Sequence, residues 1–394
     1  MYCYQETMDR LIEKEVAEGR VKGASALVIH RDKEIYYNAF GYADAERGIP
    51  MGRDTIIRLF SMTKPVTAAA AMILMERGNL DLWDLVSDYL PAFKKPKVWS
   101  GEKQCEIPAE RELTVWDLLN MTSGITYPDP AHEPGRRMEN VLRGLLDRRE
   151  RGEKADTQEY ARQIATVPLC FQPGEQWMYG YSADILGAVI EAASGKRFGQ
   201  FLKEELFDPL GMTDTGFFVP EEKRGRFAQY YEWTDEGGLA VYQGSHLGEY
   251  YEEDVAFESG GAGLVSTLDD YRRFASMLVH KGEYGGKRIL GRKTVEFMAQ
   301  NHLNPRQRES LVWDSVKGYG YGCLMRVLMD RDTAAYNGSL GEFGWDGWTG
   351  NYVAMDFTEE LVFLYFIQRC GAGATPVVRK LKTVTYGALE EKAD

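Results

Sequence analysis

Histidine and cysteine are scarce in this chain, with five of each among 394 residues. The histidines stand apart and none falls in an HExxH or HxxxH spacing, so no metal centre is expected. Cys3, Cys105, Cys170, Cys323 and Cys370 are odd in number and scattered, without a CxxC pair. They read as free thiols in a reducing compartment rather than a disulfide framework. No run approaches the roughly 18 consecutive apolar residues of a membrane span. The opening MYCYQETMDRLIEKEVAEG is charged throughout and lacks the apolar core of a secretory signal, so a cytoplasmic location is expected. A basic excess is also missing: 47 Lys and Arg stand against 60 Asp and Glu, a net charge of −13. Nucleic acid and anionic membrane are therefore poor partners, and a small neutral substrate fits better.

What the chain does have is apolar mass. With 44% hydrophobic and 12% aromatic residues it can bury a large core. After an amphipathic first helix, ASALVIHRDKEIYYNAFGYAD reads as a hairpin over residues 24–41, turning at Arg31, Asp32 and Lys33. From Ser61 to about residue 205 the pattern is helical and ends its last helix at Gly195. A glycine-rich turn and helix follow in FESGGAGLVSTLDDYRRF. Then come β-rich pieces: GYGYGCLMRVLM, GWTGNYVAMDF and ELVFLYFIQR, the last two pairing as a hairpin. The final TPVVRKLKTVTYGALEEK has helical spacing. The expected fold is α+β, an antiparallel sheet built from both chain ends and flanked by terminal helices, with a large helical lobe inserted. The expected divisions are 1–60, 61–205 and 206–394, with a site in the cleft between lobes.

Two S-x-x-K matches occur. Ser100 and Lys103 lie in PKVWSGEKQCEIP, a proline-bounded loop without helical period, and are set aside as the chance match. Ser61 and Lys64 open the helical run SMTKPVTAAAAMILMERG, where i and i+3 share a face. Pro65 belongs in a first turn, so the helix begins close to Ser61 and puts its hydroxyl at the positive end of the helix dipole. The apolar run carries the lysine inward, and a desolvated lysine gives up its proton more readily and can act as base to the serine. A capping serine beside a solvated lysine explains these residues equally well.

Further motifs follow in order: LTVWDLLNMTSGITY, PGEQWMYGYSADILGAVIEAASG, FESGGAGLVSTLDDYRRF and GEFGWDGWTGNY. With SMTK they resemble the serine β-lactamase-like superfamily of class C β-lactamases and penicillin-binding proteins, and most closely the family VIII carboxylesterases. The resemblance runs over nearly the whole chain and implies a β-lactamase/transpeptidase-like fold with no cofactor. It implies Ser61 as nucleophile, Lys64 as base and Tyr179 as the second-motif tyrosine, with Tyr181 where β-lactamases carry asparagine. Trp345, Asp346 and Gly347 fill the third motif, where glycine lets the backbone approach the substrate. The backbone N–H groups of Ser61 and Trp348 are the implied oxyanion hole. Tyr127 is a candidate pocket wall.

The implied reaction is ester hydrolysis through an acyl-enzyme, without histidine. No G-x-S-x-G occurs anywhere, which excludes the nucleophile elbow of the α/β-hydrolases. Asp346 is expected to repel anionic substrates, and Tyr181 removes an amide that would hold an acyl-amide side chain. Short-chain uncharged esters are therefore expected, with weak β-lactam hydrolysis. The alternatives are a β-lactamase or D-Ala-D-Ala carboxypeptidase-like enzyme, or an acyltransferase with the same triad. The oligomeric state is not legible in the sequence.

Overall fold

The computed structural model describes residues 3–244 and 255–389. Eight strands form one antiparallel sheet: β1 (Gly23–His30), β2 (Lys33–Asp44), β3 (Ile49–Pro50), β4 (Tyr319–Gly322), β5 (Met325–Leu328), β6 (Phe343–Asp346), β7 (Tyr352–Asp356) and β8 (Leu361–Ile367). Their spatial order is β4-β5-β6-β7-β8-β1-β2-β3, so β1 pairs β8 and the two ends of the chain meet in mid-sheet. Alternation along the strands assigns the two faces. Ala26, Val28, Phe363 and Tyr365 face a core closed by α1 (Tyr4–Ala17) and the C-terminal helix, while Leu27, Ile29, Val362 and Leu364 face the main core.

The expected hairpin turns at Arg31 and Asp32, with φ of 50° and 62°. Two positive φ values in a two-residue loop match the right-handed twist of the strands. GYGYGCLMRVLM departs from its reading as one strand-like piece. It is itself a hairpin, β4 to β5, turning at Cys323 and Leu324 with φ of 46° and 61°. Neither residue is a usual turn former, so the sequence carries no signal there.

Between the sheet halves lie α2 (Thr63–Glu76), α3 (Glu133–Glu150), α4 (Thr157–Ile164) and α5 (Ser182–Ser194), then α6 (Leu268–Val279) against the sheet. The C-terminal helix is α7 (Pro376–Gly387). Every residue of α2 from Thr63 to Leu74 is buried, which explains its run of alanines: a helix apolar all round sits inside. Gly195 ends α5 in the left-handed conformation at φ 69°. Ser100 and Lys103 lie in and beside a small exposed hairpin (Lys97–Ser100 with Cys105–Pro108), where the Ser100 hydroxyl only accepts from the Lys103 backbone. No helix among the described residues is long and apolar enough to cross a membrane.

Candidate active site

Ser61 stands in a short 3₁₀ turn (Phe60–Met62) that feeds directly into α2, with Pro65 in that helix's first turn. Phe60, just before it, is held at φ 46°, a left-handed conformation that costs a non-glycine residue on the order of 1–3 kcal/mol. The fold tolerates this because the turn is gripped from behind. Asn351, fully buried, donates from Nδ2 to the Arg58 carbonyl at 2.7 Å and accepts from the Ile367 N–H.

Lys64 is fully buried, and its Nζ lies 3.1 Å from Ser61 Oγ, 3.3 Å from the Tyr127 hydroxyl and 2.8 Å from the Gly261 carbonyl. The same Nζ sits 4.6 Å from the ring centre of Tyr179. Tyr179 in turn accepts a 3.0 Å hydrogen bond from Trp345 Nε1. The three residues named from the first two motifs and the tryptophan of the third, far apart in sequence, thus form one chain of contacts from Ser61 through Lys64 and Tyr179 to Trp345. Burial holds the Tyr127 phenol well above its ordinary value, so it stays protonated beside Lys64.

A cavity of about 630 Å3 opens above Ser61. Its walls are aromatic. Tyr181 meets Tyr127 edge-on at 4.5 Å, and Trp313 meets Tyr179 at 5.0 Å. Trp348 packs on Phe60 at 5.2 Å, and Ser61 and Trp348 both line the cavity. Gly347 is confined: a Cβ there would lie 2.5 Å from the Leu59 carbonyl oxygen. Asp346 lines the cavity, but its carboxylate is not free. Arg326, 2% exposed, donates to it at 2.6 Å while lying over the rings of Trp345 and Tyr352. That buried guanidinium cancels the charge that was expected to repel anionic substrates, and the expectation is corrected accordingly.

Sequence reasoning missed Asp184, Ser259, Gly261, Arg326 and Asn351. Asp184 is 4% exposed and lines the cavity, accepting from the Ser259 hydroxyl and the Gly261 N–H. Burial pushes its carboxyl up, against the opposing pull of Lys64 and these donors. The available signal was an aspartate in the otherwise apolar ADILGAVI, and three glycines in ESGGAG. Arg326 and Asn351 carry no local signal, because each acts across strands distant in sequence.

The family model described as Beta-lactamase matches residues 8–381. The chain belongs to the β-lactamase family. It is 32% identical to protein Rv1367c of Mycobacterium tuberculosis over 95% of this chain and 97% of that protein. It is 30% identical to esterase EstB of Burkholderia gladioli, over 96% and 94%. Among solved structures it superposes on EstCE1, titled a hydrolase with promiscuous acyltransferase activity, with a TM-score of 0.80, 26% identity and 98% of each chain covered. The fold is thus β-lactamase/transpeptidase-like, and this family member is a serine hydrolase or acyltransferase related to esterases.

Proposed function

We propose that this protein is a carboxylesterase acting on esters with short, uncharged acyl groups through an acyl-enzyme on Ser61. The observation that carries the reading is the contact of buried Lys64 Nζ with Ser61 Oγ at 3.1 Å, with Tyr179 alongside. Ser61 Oγ forms the new bond to the acyl carbon as its proton passes to the Lys64 and Tyr179 pair. The backbone N–H groups of Ser61 and Trp348 receive the developing oxyanion. The bond to the alcohol oxygen breaks as that oxygen takes a proton from Tyr179, and water repeats the sequence to release the acid. Aromatic walls favour apolar acyl groups, and the Asp184 carboxylate in the lining disfavours anionic ones. Ser61→Ala should abolish hydrolysis of p-nitrophenyl acetate and butyrate, and intact-mass spectrometry of the native chain should catch an acyl adduct. Full activity in Ser61→Ala sinks the assignment. In an ester panel run beside a chromogenic cephalosporin, faster cephalosporin turnover would favour a β-lactamase or peptidase instead.

A second reading, acyl transfer to an alcohol, is supported by the likeness to EstCE1. Added alcohol would then divert product from acid to ester without changing the rate of acylation.

A further inference from the structure

Two carboxylates, Asp184 and Asp346, are the charged groups lining the catalytic cavity, and among the described residues no lysine, arginine or histidine lines it. Asp184 is engaged by the Ser259 hydroxyl and the Gly261 N–H. Asp346 is taken on one side only. Arg326 Nη1 donates to its Oδ1 at 2.6 Å, and the other terminal nitrogen, Nη2, is buried without a hydrogen-bond partner among the described residues. Asp346 Oδ2 accepts no hydrogen bond among the described residues. It lies toward Gly373 of the cavity lining, 3.8 Å from where a Cβ would stand. The pair thus turns its negative end to the cavity and its positive end to the core.

The rings nearby agree. Trp313 meets Tyr179 edge-on at 5.0 Å and Trp177 edge-on at 5.2 Å, yet keeps 41% of its surface exposed. Those two contacts fix the indole at the cavity without covering it. Aromatic faces are negative, and an indole attracts cations best. Arg326 already shows the preference, lying 5.2 Å from the ring centre of Trp345 and 4.3 Å from that of Tyr352. Tyr179, the proposed proton donor to the leaving oxygen, sets where a ligand cation would sit. Trp313 packs on its ring, and Asp346 follows Trp345, whose indole touches the Tyr179 hydroxyl. A cation on the alcohol portion, a short chain from the ester oxygen, therefore meets both Trp313 and Asp346. A primary ammonium would need three acceptors, whereas a quaternary ammonium needs none and lays an apolar methyl shell against the rings. The net charge of −13 draws such a cation toward the chain.

We propose that the alcohol portion of the ester carries a quaternary ammonium group, seated on Trp313 beside Asp346 Oδ2. This rests on the esterase reading, and it leaves the acyl group short and uncharged. The test uses acetate esters of trimethylammonium alcohols of increasing length beside isosteres in which carbon replaces the nitrogen, such as choline acetate against 3,3-dimethylbutyl acetate. At the best length the cation should exceed its neutral isostere in kcat/KM by about tenfold, the effect of one desolvated cation on an indole. Trp313→Leu and Asp346→Asn should each bring that ratio toward one. A neutral ester as good as the cation at every length, or a ratio unmoved in both variants, overturns the proposal. A readout without turnover separates the two ideas. Choline should raise the melting temperature of Ser61→Ala, 3,3-dimethylbutanol should not, and the shift should vanish in Ser61→Ala with Trp313→Leu. Retention of the choline shift with no ester hydrolysed by the native chain would overturn the esterase reading and support the cation site. Absence of the shift beside normal turnover of p-nitrophenyl acetate would do the reverse.

Discussion

Trp345 Nε1 donates a 3.0 Å hydrogen bond to the hydroxyl oxygen of Tyr179, tying the end of β6 to the tyrosine beside Lys64. A donor there fixes where that oxygen points. It also occupies one of its lone pairs, while Lys64 Nζ sits 4.6 Å from the centre of the same ring.

Trp345→Phe keeps most of the ring volume and removes the donor. With one neutral hydrogen bond worth about 1 kcal/mol net, kcat on p-nitrophenyl butyrate should fall roughly fivefold to tenfold with KM little changed. A raised KM at constant kcat would make Trp345 a pocket wall alone.

Gly347→Ala probes the close approach of the third motif to the nucleophile. The added methyl would lie 2.5 Å from the Leu59 carbonyl, two residues before Ser61, and both contacting atoms are held by backbone. Either strand β6 or the 3₁₀ turn must then move. Displacements of about 1 Å at a catalytic group cost on the order of a hundredfold in rate. Steady-state kinetics should show that loss while circular dichroism stays native, and an active Gly347→Ala enzyme would mean that the turn yields freely.

These two residues show what the sequence can and cannot reveal. Trp345 and Gly347 stand in a local pattern, GWDG, and Ser61 and Lys64 sit one helical turn apart, so their chemistry is written in neighbouring letters. Terminal helices, the β1–β2 hairpin and the helical stretch between were legible for the same reason, since period and turn residues are local. Arg326 and Asn351 were not, because the first meets Asp346 only through the pairing of β5 with β6, and the second meets Arg58 across 293 positions. The hairpin at Cys323 and Leu324 was hidden because tertiary context imposes positive φ on residues that seldom choose it.

Asp184 gives the stability a pH dependence of definite sign. Its carboxyl is raised above the ordinary 3.8, chiefly by burial, so the native state holds its proton where the unfolded chain has lost it. Just above 3.8 the native state therefore binds more protons than the unfolded one, and this group's contribution to stability falls as pH rises through the native value. Asp184→Asn keeps an oxygen acceptor for Ser259 and Gly261 and has no such proton to lose. Thermal unfolding followed from acid to neutral pH should show the variant gaining on the native chain as pH rises. Parallel curves would remove Asp184 from the account.

The Arg326 and Asp346 pair links stability to substrate choice. Arg326→Met retains apolar bulk against Trp345 and Tyr352 but leaves Asp346, 18% exposed, without its guanidinium. Breaking a buried pair costs about 3–5 kcal/mol, and the partial exposure of Asp346 places this loss toward the lower value. Adding Asp346→Asn should restore part of it, because the stranded charge is then gone; denaturant melts of the two single variants and the double variant read the coupling directly. The functional consequence is separate. With Arg326 present the Asp346 charge is cancelled, whereas Arg326→Met should make the cavity reject an anionic acyl group more strongly. The kcat/KM ratio of a succinate half-ester to the matching butyrate should drop about tenfold, one charge repulsion in a partly desolvated site. It should recover in the double variant, and a ratio identical in all four proteins would show that Asp346 does not face the acyl group.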